Sequence, residues 1–210
     1  MKTTVTKRDL AELMSNNPEV KYVRAKRLLA IARKSPQRVY PHLEFFASLL
    51  KSENNILKWT AIDIMGYVSK VDKKKQVDRL LRQLYGFLEG GKLITANHAI
   101  GALANVALAK PEHRKRIIRK LLNTEHNSYE TDECRNIALG KVVQVLGLLS
   151  TDLNLDDHVV QFIERQTSNP RPSTRKKAER FLRNIDKSHK TLGAGHEMDQ
   201  DQGNRITAIH

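Results

Sequence analysis

Apolar residues recur at intervals of three and four along most of the chain, and the clearest run is Val77, Leu80, Leu81, Leu84 and Leu88. That spacing places them on one face of an α-helix. No alternating apolar and polar run of useful length occurs, so the pattern predicts helices and no sheet. Two kinds of segment alternate. Amphipathic segments are expected at residues 7–14, 37–51, 73–88, 112–122 and 157–167, each followed by a stretch of small and apolar residues around an alanine. The alanines are Ala25, Ala61, Ala99, Ala138 and Ala178, at steps of 36, 38, 39 and 40 residues. A period of that length predicts an array of helical hairpins.

Four residues after each alanine stands a further apolar side chain: Leu29, Met65, Leu103, Val142 and Leu182. One turn apart on a helix, the two share a face. Small residues there let helices approach closely, whereas overpacking such a seam costs roughly 1–3 kcal/mol. Pro36, Gly90 with Gly91, Pro111, and Pro170 with Pro172 punctuate the segments. Pro111 and Pro170 suit a first helical turn or the loop before it. Pro41 falls inside the expected segment 37–51 and predicts a kink or a late helix start.

The alanine-centred segments, most clearly residues 57–68 and 96–106, resemble the HEAT family of repeats, relatives of the armadillo type. The likeness spans about residues 7–185. It departs from the family pattern in a short first hairpin and in Arg183, where an apolar or small residue is usual. The resemblance implies an all-α fold: a right-handed α-α superhelical solenoid of about five hairpins, with the second helices lining a concave side. Residues 1–186 form this expected domain. Residues 187–210, with few large apolar side chains, three glycines and a polar run from Glu197 to Gln202, read as a disordered tail. A repeat array offers an extended surface to partners but implies no reaction.

Charge adds a lead. The chain carries 37 Lys and Arg against 23 Asp and Glu, a formal charge of +14, with a pI near 10.0. The tail's charges cancel, so the excess belongs to the repeats. It gathers at Lys21, Arg24, Lys26 and Arg27, at Arg114, Lys115, Arg116, Arg119 and Lys120, and at Arg171, Arg175, Lys176, Lys177, Arg180 and Arg183. Such groups attract polyanions, although amphipathic helices also need a solvated charged face. One cysteine, Cys134, cannot form an internal disulfide, and no secretory leader or run of about 20 apolar residues is evident. A cytoplasmic protein without a membrane segment is the expectation.

Trp59 and Asp63 lie four apart on one helix face. Their spacing resembles part of the site of a HEAT-like alkylpurine DNA glycosylase family, which uses tryptophans and an aspartate on its concave face. That resemblance implies that Trp59 packs against a lesion or its backbone and that Asp63 stabilises positive charge developing on the deoxyribose. The chain holds a single tryptophan, so a second indole wall is missing. The equivalent pairs, Val23 with Arg27, Asn97 with Gly101, Asn136 with Gly140 and Lys176 with Arg180, vary freely and suggest an outward-facing row.

Other chemistry finds little footing. The stretch from Asp152 to Asp156 begins like a calcium loop, but Asp157 stands where glycine belongs and Ile163 where glutamate belongs. Asp156 or Asp157 reads better as a helix cap. Cys134 reads as a small buried thiol. The eight histidines show no metal-ligand spacing, and His98 either faces the groove or is solvated. Gly86, Gly90 and Gly91 serve a helix end, without a phosphate-loop pattern.

The sequence therefore predicts a non-enzymatic binding scaffold with no cofactor and no metal. Its expected groove is Arg27, Trp59, Asp63, Asn97, His98, Arg135, Asn136, Lys176 and Arg180. An acidic protein segment is the first expected partner. Nucleic acid is the alternative, with glycosylase activity as its enzymatic form.

Overall fold

The computed structural model describes residues 5–150 and 156–185, and these are all helix and connecting turn, with no strand among them. The helices are α1 (Lys7–Leu13), α2 (Pro18–Lys34), α3 (Leu43–Leu49), α4 (Asn55–Val68), α5 (Leu81–Glu89), α6 (Leu93–Ala109), α7 (Pro111–Leu122), α8 (Asp132–Leu149) and α9 (Asp157–Gln166). A tenth, α10, begins at residue 172 and continues to residue 185. Residues 152–155 of the stretch compared with a calcium loop, and residues 187–210, expected as a disordered tail, lie outside the described residues.

Local chemistry sets the helix starts. Thr6 and Asp9 close a capping box on α1, in which each side chain bonds the other's backbone N–H. Asn17, Asn54, Thr131 and Asp156 cap α2, α4, α8 and α9 with side-chain oxygens. Pro111 occupies the first turn of α7, where its missing N–H costs little.

Two predicted helices begin late. Pro41 sits in a 3-10 turn, Tyr40–His42, and the α-helix starts only at Leu43. The segment expected at 73–88 is α-helical only from Leu81. Upstream, the Asp72 carboxylate accepts from the N–H groups of Gln76 and Val77, at 2.9 and 2.8 Å, and Lys75 takes φ 55°. Those bonds hold the chain in a turn, an alternative to helix that aspartate side chains favour.

The packing is sequential. Each of α2, α4, α6 and α8 lies against the next, α1, α3 and α5 pack on α2, α4 and α6, and α7 rests on both α6 and α8. The five repeated alanines are all buried, Ala25 at 4% exposure and the other four at 0%. Close approach is visible at two glycines. A Cβ on Gly66 of α4 would stand 2.7 Å from the Ala102 Cα of α6, and one on Gly140 of α8 would stand 2.5 Å from the Thr174 hydroxyl of α10. Phe46, Leu28, Ile64, Met65, Leu84, Leu103 and Phe162 are among the fully buried side chains of one continuous core.

A buried ionic cluster joins the turns that precede α3, α5 and α7. Asp72 accepts from the Tyr40 hydroxyl at 2.8 Å and from the Lys110 ammonium at 2.9 Å. Lys110 also bonds Asp78, which lies 3.1 Å from Nε2 of His113. Burial alone would push both carboxyls up, but the Lys110 ammonium and the neighbouring donors hold them below the ordinary value. Burial likewise pulls on Lys110, whose two carboxylate partners nevertheless raise its pKa.

Candidate functional site

The turn spacing of α4 and α6 brings their polar side chains to one open cleft. It encloses about 410 Å³ and is lined by Asp63 and Tyr67 of α4, by Ile94, Asn97, His98, Gly101 and Asn105 of α6, and by Lys141 of α8. A Cβ added to Gly101 would meet no atom within 4 Å. The cleft thus owes part of its depth to a missing side chain.

Three side chains interlock along one wall. The Trp59 indole and the His98 imidazole stack, with centroids 5.4 Å apart and planes 12° from parallel. The indole N–H donates to the Thr95 hydroxyl at 3.0 Å. Nδ1 of His98 stands 3.0 Å from both Asp63 oxygens. A carboxylate accepts, so that contact calls for the proton on Nδ1. Burial, with the Asp63 charge nearby, raises the pKa of the Tyr67 phenol, and Arg33 offsets part of this. Among the described residues the Oδ1 of Asn97 is buried without a hydrogen-bond partner.

Cations gather toward α8 and α10. The half-buried Lys177 ammonium donates to the Gly140 carbonyl at 3.2 Å. Its pKa is lowered by burial first and then by the charges of Lys141 and Arg171. Arg171 pairs with Glu133. That leaves Lys141 and Lys177, among the described residues, as like charges without a countercharge of their own, an arrangement that favours an anion.

The nine expected groove residues divide. Asp63, Asn97 and His98 line the cleft, and Trp59 stacks on His98 without lining it. Arg27 is half-exposed on α2 with its Nε 3.9 Å from Asp9, and Arg135 pairs with Asp132 one turn away at 2.7 Å. Lys176 and Arg180 are exposed on α10. Asn136 does not face outward. It is buried, its Oδ1 accepts from Asn169 at 3.1 Å, and its carbonyl accepts from the Thr174 hydroxyl at 2.9 Å. Its polar atoms therefore join α8 to the segment that enters α10. Cys134 is not the buried thiol expected, because it lies in the first turn of α8, partly exposed, with its N–H on the Thr131 cap.

Tyr67, Gly101, Asn105 and Lys141 were not singled out as groove residues from the sequence. A signal existed for three of them: Tyr67 lies four residues after Asp63, and Gly101 and Asn105 lie three and seven after His98. Lys141 enters only through the packing of α8 beside α6.

No protein-family model matches the chain, and no curated protein matches it. A crystal structure of an engineered protein from the Northeast Structural Genomics Consortium is similar over 86% of this chain and 96% of its own, at 18% identity and a TM-score of 0.47. A likeness of that degree assigns no function. No helix among the described residues is long and apolar enough to cross a membrane.

Proposed function

We propose that the protein is a binding scaffold rather than an enzyme: a HEAT-like, right-handed solenoid whose inner cleft takes an acidic segment of a partner protein. The observation that carries this reading is the cleft between α4, α6 and α8, where Asn97 offers an unpartnered acceptor and Lys141 a cation, with Lys177 and Arg171 beyond. An extended peptide supplies main-chain N–H groups for Asn97 and carboxylates for the lysines. Consecutive packing of α2, α4, α6 and α8 supports the solenoid, because each alternate helix then contributes to one continuous inner surface.

Nucleic acid is the competing occupant. Trp59 favours it less than the sequence alone implies, because His98 covers one face of the indole and Thr95 takes its N–H. Fluorescence anisotropy with an Asp/Glu-rich peptide and with random duplex DNA separates the two. Peptide binding that is lost in Lys141→Glu/Lys177→Glu supports the proposal. Binding of duplex DNA alone, with a steep salt dependence, would replace it with the polyanion reading, and release of a modified base would make the protein a glycosylase.

A further inference from the structure

A second cleft lies outside the inner groove, between the first helices of the last two hairpins. It encloses about 570 Å³, and its cationic wall includes Lys115 and Arg119 of α7 and Arg165 of α9, with His126 and His158 beside them. The carboxylates present are already engaged. Glu125 accepts from Arg165 through Nη2 at 2.6 Å and Nε at 3.3 Å, and Asp156 caps α9 by accepting from the His158 N–H at 3.0 Å. Lys115 and Arg119 are one helical turn apart and exposed, and among the described residues neither side chain has a hydrogen bond or ion pair.

We propose that this outer cleft is a docking site for a phosphorylated serine or threonine of a partner protein. A phosphate monoester carries a charge of about −1.5 to −2 at neutral pH and three strong acceptor oxygens. That matches two neighbouring uncompensated cations, one of them a guanidinium able to bond two oxygens at once. The site is compact, with its cations drawn from α7 and α9 and its carboxylates, Glu125 and Asp156, engaged by Arg165 and the α9 N-terminus, whereas a nucleic-acid backbone needs a path of several phosphate contacts. Its lining offers no Trp, Tyr or Phe on which a base could stack. The neighbouring amides of Asn123 and Gln161 supply further donors. This proposal is independent of the inner cleft, since none of its residues lines that site.

The test titrates the full chain with inorganic phosphate, a degenerate phosphoserine peptide library, the same library unphosphorylated, and random duplex DNA. Inorganic phosphate is expected to shift the amide resonances of residues 115–126 and 156–165. The phosphorylated library is expected to bind at least about tenfold more tightly than the unphosphorylated one, on the strength of charge-assisted bonds. Lys115→Glu/Arg119→Glu is expected to abolish that preference, while the charge-matched surface pair Lys51→Glu/Lys73→Glu leaves it intact; circular dichroism verifies that each variant folds. Equal binding of the two libraries overturns the proposal. So does duplex DNA binding that the Lys115 and Arg119 substitutions remove, and so does phosphate dependence insensitive to them.

Discussion

Both carboxylate oxygens of Asp63 lie 3.0 Å from Nδ1 of His98, one residue on α4 and the other on α6. The pair ties α4 to α6 at the cleft that both helices line, with side chains 23% and 30% exposed. Partial solvation limits its strength. Asp63→Ala and His98→Ala in a double-mutant cycle are expected to show a coupling of about 0.5–1 kcal/mol by urea denaturation. Because Trp59 is the single tryptophan and stacks on His98, His98→Ala should also change the intrinsic emission. A zero coupling with unchanged emission would detach the pair from the cleft wall.

The Asp72, Lys110 and Asp78 cluster predicts a defined pH response. Both carboxyls have folded pKa values below 3.8, so the unfolded chain takes up protons first as pH falls. Their contribution is complete above about pH 5 and is lost as pH drops through 3.8 and then through the lower folded values. Lys110 has the opposite sign: its raised pKa stabilises the fold below 10.5 and ceases to do so as pH rises through the folded value. Lys110→Met leaves two carboxylates without their cation, and the expected loss is about 3–5 kcal/mol at pH 7. That loss should shrink on acidification, because a protonated carboxyl no longer needs the ammonium. A wild-type to variant difference that stays constant from pH 7 to pH 3 would contradict the assignment.

Two helical glycines should respond oppositely to alanine. At Gly66 the new Cβ meets the Ala102 backbone at 2.7 Å, and separating α4 from α6 is expected to cost about 1–3 kcal/mol. At Gly101 nothing stands within 4 Å, so alanine removes only the backbone freedom of glycine and should stabilise by about 0.5–1 kcal/mol. Thermal melts of the two variants decide this. Gly101→Leu should keep the fold and fill the cleft, which would eliminate binding of the acidic peptide.

Asn136 and Asn97 occupy equivalent repeat positions with different work to do. Asn136→Ala removes one of the two acceptors of the buried Asn169 amide, the other being Gln166, and is expected to destabilise by about 0.5–1.5 kcal/mol. Asn97→Ala removes an acceptor that is already unpartnered, so it should leave stability nearly unchanged and weaken peptide binding. Measuring stability and affinity for both variants separates a seam residue from a groove residue. The distinction fails if the two substitutions act alike.

Period and composition carried the all-helical fold because helix formation is encoded locally. Apolar spacing and small residues recur within each repeat, and all five marker alanines are buried as their pattern implies. The late start of α5 was hidden, since it depends on Asp72 bonding its own following backbone and on Lys110, 38 residues away. Three of the eight lining residues, Asp63, Asn97 and His98, were legible. The rest was not: Lys141 reaches the cleft from a neighbouring helix, and Asn136 turned inward because Asn169 and Thr174 approach it from the last hairpin. Contacts between repeats leave no trace in the spacing within one.

Helix α6 touches α4, α5, α7 and α8, and nine of its residues are buried. Helix α8 beside it also buries nine residues and packs on α6, α7 and α9. The slowest amide hydrogens to exchange should therefore belong to α6 and α8, with protection lower in the short helices α1 and α3. A partner seated in the inner cleft would grip the most persistent part of the molecule, leaving the outlying hairpins free to adjust around it.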